Sequence, residues 1–416
     1  MIPAKSTVSR ARTIKVIYFL AGVSNLLRIN TSVQIIPIEI LAVLAALFSL
    51  VVQQRMIIEK TELKILRFLN LFCIISLLNH LIIDIVYRVA YSETIKTCAQ
   101  MLVFWSILRV AIIYMVHDYS RLIYFAAGYL VSISLHYFLD PTISMQADPW
   151  KFAFGPTITG LYFLLLKSKM SMVANTTFIG ILVSIDVFLG SRSLALFSIL
   201  AYVLTLKGQR IHKKSFAKML FTLGMLIALL LCIERTYHYL STSGALGQSQ
   251  QSKALDQYGA GPIVFTARSE IAFEFAAIKS SPIFGLGSNP DITYKIFNET
   301  QKINQFLGVN TERTNAYKST LVNGKIPQHS VLLGSWIEGG FIVFSFWMII
   351  FLFALRKFME IEKGSRPLGN FATYFGLSTI WHIILSPLGA GSRMEVAIGL
   401  IALLVQSKFG NDAIKN

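Results

Sequence analysis

The chain has 416 residues, of which 54% are hydrophobic and 14% charged, whereas soluble domains carry roughly 25% charged residues. With a mean hydropathy of +0.61 and apolar residues gathered in long blocks, this composition excludes a soluble globular enzyme, a disordered chain and a fibrous repeat. Lys and Arg total 38 against 21 Asp and Glu, a net charge of +17. In a polytopic membrane protein basic inside loops account for such an excess, and no nucleic-acid-binding motif accompanies it.

A membrane span needs about 20 mostly apolar residues. In chain order such segments centre on 13–30, 33–52, 66–87, 99–116, 122–139, 152–166, 172–189, 194–206, 219–234, 331–355, 369–388 and 395–407. The first follows a basic start with no small-residue cleavage site, so it reads as a retained span rather than a removed signal peptide. The three cysteines, Cys73, Cys98 and Cys232, have neither metal spacing nor the pattern of a disulfide framework. The expected fold is therefore all-α, a polytopic bundle of about twelve transmembrane helices. Residues 1–233 form a first membrane bundle, 234–330 one large polar loop, and 331–416 a second bundle.

Basic residues orient the bundle. With the N-terminus inside, the inner loops and termini hold 22 Lys and Arg and the short outer loops hold 6. This satisfies the positive-inside rule for the whole topology. Both termini then face the cytoplasm, and the 234–330 loop faces the opposite side.

A few residues resist that general account. Lys151, Arg192 and Arg393 are cations on the side the rule disfavours: before Phe152-Ala153-Phe154-Gly155-Pro156-Thr157, in Gly190-Ser191-Arg192-Ser193, and in Gly389-Ala390-Gly391-Ser392-Arg393. Stranded cations of this kind suggest an anionic ligand, although headgroup snorkelling also explains any one of them. In the large loop, Arg268 opens an amphipathic segment, 271–278, followed by Ser281-Pro282-Ile283-Phe284-Gly285-Leu286-Gly287, a helix stop and tight turn. A Gly-x-Gly turn alone is a weak phosphate signal. At the loop's far end His329 stands at the membrane boundary, and Glu338-Gly339-Gly340 lies inside the span that follows. A carboxylate there costs about 2.5–3.5 kcal/mol at mid-membrane unless it faces a cavity or partner. Asp84, Arg109, Asp186 and Glu395 pose the same problem.

Taken in order, Ser191-Arg192-Ser193, Arg268, Ser281 to Gly287, His329-Ser330 and Glu338-Gly339-Gly340 resemble the O-antigen polymerase/O-antigen ligase superfamily of bacterial membrane glycosyltransferases. Phe154-Gly155-Pro156-Thr157 is similar to that family's Gly-x-Pro-Asn segment, with Thr157 in place of Asn. Ser330 likewise follows His329 where Asn is usual. The resemblance implies a GT-C-like fold in the bacterial inner membrane and an inverting transfer that uses neither metal nor cofactor. The implied donor and acceptor are undecaprenyl-diphosphate-linked oligosaccharides, and a chain-length regulator protein is a possible partner. It further implies that Arg192 and Arg268 bind the diphosphate, with Lys151 or Arg393 as supplements.

The chemistry suits these residue types. Without a metal motif, fixed guanidinium forks must stabilise a diphosphate leaving group. An imidazole such as His329 has the intrinsic pKa to take the acceptor hydroxyl's proton, with Glu338 orienting it or shaping the cavity. Within the resemblance, Pro327 stands two residues before His329 where ligases tend to carry a second His, and with the acidic Glu338 after it the chain looks more like the polymerase branch than the ligase. A transporter of lipid-linked saccharide is the alternative from another class, but no internal repeat of the kind transporters show is evident.

Overall fold

The computed structural model describes residues 5–27, 29–30, 34–52, 59–206, 232, 235–248, 251–252, 254–255, 270–310, 324–361 and 367–415. The expected span at 219–234 lies almost wholly outside them, as does Arg268. The first bundle comprises α1 (Lys5–Val23), α2 (Pro37–Val52), α3 (Lys60–Tyr87), α4 (Tyr91–Met115), α5 (Tyr119–Leu139) and the short α6 (Ile143–Ala147). It continues through α7 (Gly155–Leu161), flanked by π-helical turns at Trp150–Phe154 and Tyr162–Leu166, to α8 (Met172–Phe188) and α9 (Arg192–Leu206). The large loop contributes α10 (Ile271–Ser280) and α11 (Tyr294–Phe306). Finally, α12 (Val331–Met359), α13 (Pro367–Leu385) and α14 (Ala390–Lys415) complete the chain. A two-residue antiparallel ladder pairs Ile29–Asn30 with Gln34–Ile35.

Apart from that ladder the elements of the described residues are helical, and among them α3, α4, α5 and α12 are the four helices long and apolar enough to cross a membrane; α2, α8 and α9 are apolar but shorter. Local chemistry sets their ends. The carboxylate of Asp118 accepts from Ser120 N at the start of α5, the Ser171 hydroxyl from Ala174 N at the start of α8, and the Ser330 hydroxyl from Leu333 N at the start of α12. Each satisfies an amide that the first helical turn leaves without a partner.

Two apolar cores follow from these helices. The larger runs through the bundle, where Phe72 stacks on Phe346 and Phe104 meets Trp347 at a tilt, joining α3 and α4 to α12. The smaller gathers Phe273, Ala276, Ala277 and Ile278 of α10, Ile296 of α11, Ile326 and Ile337. Because Ile337, with Leu333 and Trp336 beside it, belongs to α12, the loop is docked on the bundle rather than held away from it. Lys279 and Lys302 hydrogen-bond to Glu299 between α10 and α11 and within α11, holding its carboxyl down to about 2.

The docking depends on a break in α12. Gly340 has φ 62° and ψ −161°, a conformation open essentially only to glycine. Three carbonyls freed by the break find new donors: Ile337 O accepts from Leu286 N at 2.7 Å, Glu338 O from Gly287 N at 3.0 Å, and Gly339 O from the Asn79 side chain at 2.7 Å. In return Phe341 N donates to Ile283 O at 2.9 Å. Interrupted helix at membrane depth is tolerated only where protein satisfies the exposed backbone, and the 283–287 turn supplies that partner. No Cβ fits on either side. One on Gly285, itself at φ 80°, would lie 2.6 Å from Glu338 O, and one on Gly340 would collide with Ile283 O.

Gly340→Ala is therefore expected to cost at least about 1–3 kcal/mol and to lower the thermal midpoint in detergent. It should also open the 270–310 unit to proteolysis. Gly180→Ala, where an added Cβ meets nothing within 4 Å, serves as the control and should change neither.

Candidate active site

The turn after Gly285 carries the polar side of the same junction. Ser288 donates from its amide and its hydroxyl to the two oxygens of Asp84, each at 2.7 Å. Asn289, at φ 48°, donates its amide to Glu338 Oε1 at 3.0 Å and its side-chain amide to Glu93 Oε2 at 3.1 Å. The amides of Leu286, Gly287, Ser288 and Asn289 thus all point into the bundle and all have acceptors there. The Gly-x-Gly turn is a clasp, and its N–H groups are not available to a phosphate.

Behind the clasp lies a cavity of about 360 Å³, lined by α3, α4, the clasp, the strand of chain entering α12, α12 itself and the turn before α14. Glu338 lines it. Its Oε1 accepts from Gln328 Nε2 at 2.6 Å as well as from Asn289 N. Glu93 also lines it, held by Lys96 at 2.9 Å. His80, buried on α3, presents one edge there and has no partner for Nδ1. Gln100, Gln328, Ser330 and Ser335 add neutral polar groups, and Met101, Val343 and Trp347 an apolar wall.

His329 stands next to this cavity, between two residues that line it, Gln328 and Ser330. Its amide donates to Glu274 Oε1 at 2.8 Å, and its Nε2 lies 3.5 Å from Glu270 Oε1. Glu270 and Glu274 are one turn apart at the start of α10, so a single helix end holds the histidine's backbone and faces its ring. The side chain of His329 remains 35% exposed, accessible yet oriented. This pairing was missed in the sequence, although the i, i+4 carboxylates in Glu270-Ile271-Ala272-Phe273-Glu274 were there to be read. Glu338 does not bond to His329; it is tied to the neighbouring Gln328.

The cations are less uniform than the sequence suggested. The turn before Arg393 borders the cavity through Pro387, Leu388 and Gly389, and the cavity's lining does not include Lys151 or Arg192. Arg192 begins α9 with its guanidinium over the Tyr237 ring, 4.4 Å from the centroid. Lys151 lies over the Phe152 ring at 4.9 Å. Arg393 is turned inward and forms a two-pronged pair with Glu39, Nε to Oε1 and Nη2 to Oε2, each 2.7 Å, with both side chains buried. That geometry ties α2 to α14 and directs the charge away from the cavity.

The other charged residues noted in apolar segments have partners too. Arg109 donates to Ser49 and Asn70, Trp150 donates to Asp186 at 2.7 Å, and His382 lies 2.6 Å from Glu395. At the other end of the bundle Glu59, Glu62 and His117 cluster, their carboxylate and ring atoms within 4.8 Å of one another, a spacing that could hold a metal ion. There Glu59 and Glu62 also form the capping box of α3.

The sequence matches no family model and no curated protein. The fold and site together define a helical bundle with apolar helices suited to a membrane, bearing a loop-covered polar cavity at one end.

Removing one partner of a buried ion pair costs about 3–5 kcal/mol, whereas replacing both by apolar side chains is often neutral. Arg393→Met alone should therefore depress the thermal midpoint sharply, and Arg393→Met with Glu39→Met should restore it. Full stability without activity in the double variant would return Arg393 to the list of ligand-binding cations.

Proposed function

We propose that the chain is a membrane glycosyltransferase that polymerises polyprenyl-diphosphate-linked oligosaccharide repeat units into O-antigen or a related surface polysaccharide. In this reading about twelve spans cross the bacterial inner membrane, both termini are cytoplasmic, and the 234–330 loop is periplasmic. The observation that carries it is the joint placement of an oriented, accessible histidine and a polar cavity where the large loop is clasped to the bundle.

The chemistry assigned to the residues is a single inverting displacement. The acceptor sugar's hydroxyl oxygen attacks the anomeric carbon of the donor as the bond to the diphosphate oxygen breaks. His329 takes the hydroxyl proton, and the lipid diphosphate departs with the bonding electron pair. With Nε2 facing Glu270, Nδ1 is the nitrogen left to accept that proton, and Glu270 stabilises the imidazolium formed. Arg192 and Arg268 bind the diphosphate, the latter two positions ahead of Glu270 in sequence, and Lys151 supplements them. Guanidinium forks suit this role because they stay ionised and grip phosphate oxygens in pairs.

The test is reconstitution of the purified chain with lipid-linked repeat units in vesicles. Glycan lengthening is the expected result. Transfer only after lipid A-core is added would make it a ligase, and a change of sidedness without lengthening would make it a transporter. Within the assay, Arg268→Ala should abolish extension at unchanged protein level. His329→Ala should slow it by about 10²–10⁴, and an undiminished rate would remove His329 from the chemistry.

A further inference from the structure

The cavity behind the clasp has a charge pattern of its own. Two carboxylates line it, Glu338 and Glu93, and a third, Asp84, lies outside the lining, one turn along α3 from His80. Both oxygens of Asp84 are taken by Ser288, and those of Glu93 by Lys96 and Asn289. Glu338 differs. Its two donors, Gln328 and Asn289, share Oε1, which leaves Oε2 facing the open volume. The cations on the wall are Lys96, already paired with Glu93, and His80 when protonated. Because Lys96 is matched by Glu93, an entering phosphate or carboxylate would meet the like charge of Glu338. Such juxtaposition of like charges disfavours binding.

The other lining groups define what does fit. Gln100, Thr97 and Ser335 offer planar amides and hydroxyls over a wall that includes Trp347. At about 360 Å³ the cavity falls near the lower end of the about 300–1,000 Å³ range of small-ligand pockets, with room for a pyranose ring. Hydroxyl and amide N–H donors are what Glu338 Oε2 lacks.

We infer that this cavity is a saccharide subsite selective for neutral sugars, in which Glu338 accepts a hydrogen bond from the ring's substituents and excludes uronic acids. The inference rests on the glycosyltransferase reading for its substrate class and adds to it a specificity. The diphosphate is bound elsewhere, and the sugar that enters here carries no acid group. Glu338 is then a specificity-determining residue distinct from the His329 base.

Matched probes test this on the full-length chain purified in detergent. The pairs are methyl glucoside with glucuronate, methyl galactoside with galacturonate, and N-acetylglucosamine with its uronate, each followed by saturation-transfer NMR. At least one neutral sugar should bind, and its uronate should bind about tenfold or more weakly. Glu338→Gln keeps an oxygen for Gln328 and Asn289, and should narrow that gap to within about twofold while the thermal midpoint is retained. Should Glu338→Gln fail to fold, Ser335→Phe, which fills the same cavity from another position, must abolish neutral-sugar binding. Equal binding of sugar and uronate to the wild-type chain would overturn the inference, as would binding of no neutral sugar or displacement of the sugar by inorganic pyrophosphate. Because these measurements use no lipid-linked substrate, glycan lengthening without sugar selectivity would sink this inference alone. Selectivity without lengthening would sink the proposed function and leave the subsite.

Discussion

The interruption of α12 at Gly339-Gly340 is the constraint on which the rest of this structure depends. An unbroken helix there would satisfy its own carbonyls and offer the loop nothing to hold. The break frees three carbonyls and one amide, and in an apolar bundle these groups cannot be left without partners. The 283–287 turn and Asn79 answer that need. Attaching the loop and completing the helix are thus one event, and the small core around Phe273 and Ile337 forms only when both are in place. Full burial of a side chain such as Phe273 is worth about 1.5–3 kcal/mol, so apolar packing reinforces what the backbone bonds position.

That arrangement explains which parts of the molecule were legible in the sequence. Runs of about 20 apolar residues announce membrane helices because burial in lipid demands nothing more specific, and α3, α4, α5 and α12 follow them closely. Pro282, Gly285 and Gly287 were legible as punctuation. Their partners were not. The Gly-x-Gly amides and the Glu-Gly-Gly break look like two separate motifs, and only the fold shows that each contains the hydrogen-bond partners of the other. A phosphate-binding turn and a helix clasp use the same residue types because both need backbone N–H groups that converge.

Charge in the apolar bundle shows the same limit. Arg393 and Arg192 look alike in sequence, each at a turn on the side where cations are disfavoured. One is buried against Glu39 and the other stacks on Tyr237. The difference comes from Glu39, more than three hundred residues from Arg393 and itself an unexplained acid in an apolar segment. Pairing between distant intramembrane charges has no local signature, so sequence reasoning assigns an external anion to a cation that has an internal one. Asp84, Asp186 and Glu395 were equally opaque until Ser288, Trp150 and His382 were placed beside them.

The site acquires its order from that same clasp. His329 is oriented by Glu270 and Glu274 of α10, which belongs to the loop, whereas Glu338 belongs to the bundle. Gln328, adjacent to His329, bonds to Glu338, and Asn289 of the clasp bonds to Glu338 and Glu93 together. The distance between the imidazole and the cavity is therefore fixed by the docking of one unit on the other, not by either unit alone. A site assembled across such a junction needs preorganisation from groups that never touch a substrate. Here those groups are two glycines and a row of backbone amides. Loss of the clasp would consequently separate the histidine from the cavity before it unfolded the bundle, so its stability and the geometry of the site are set by the same few hydrogen bonds.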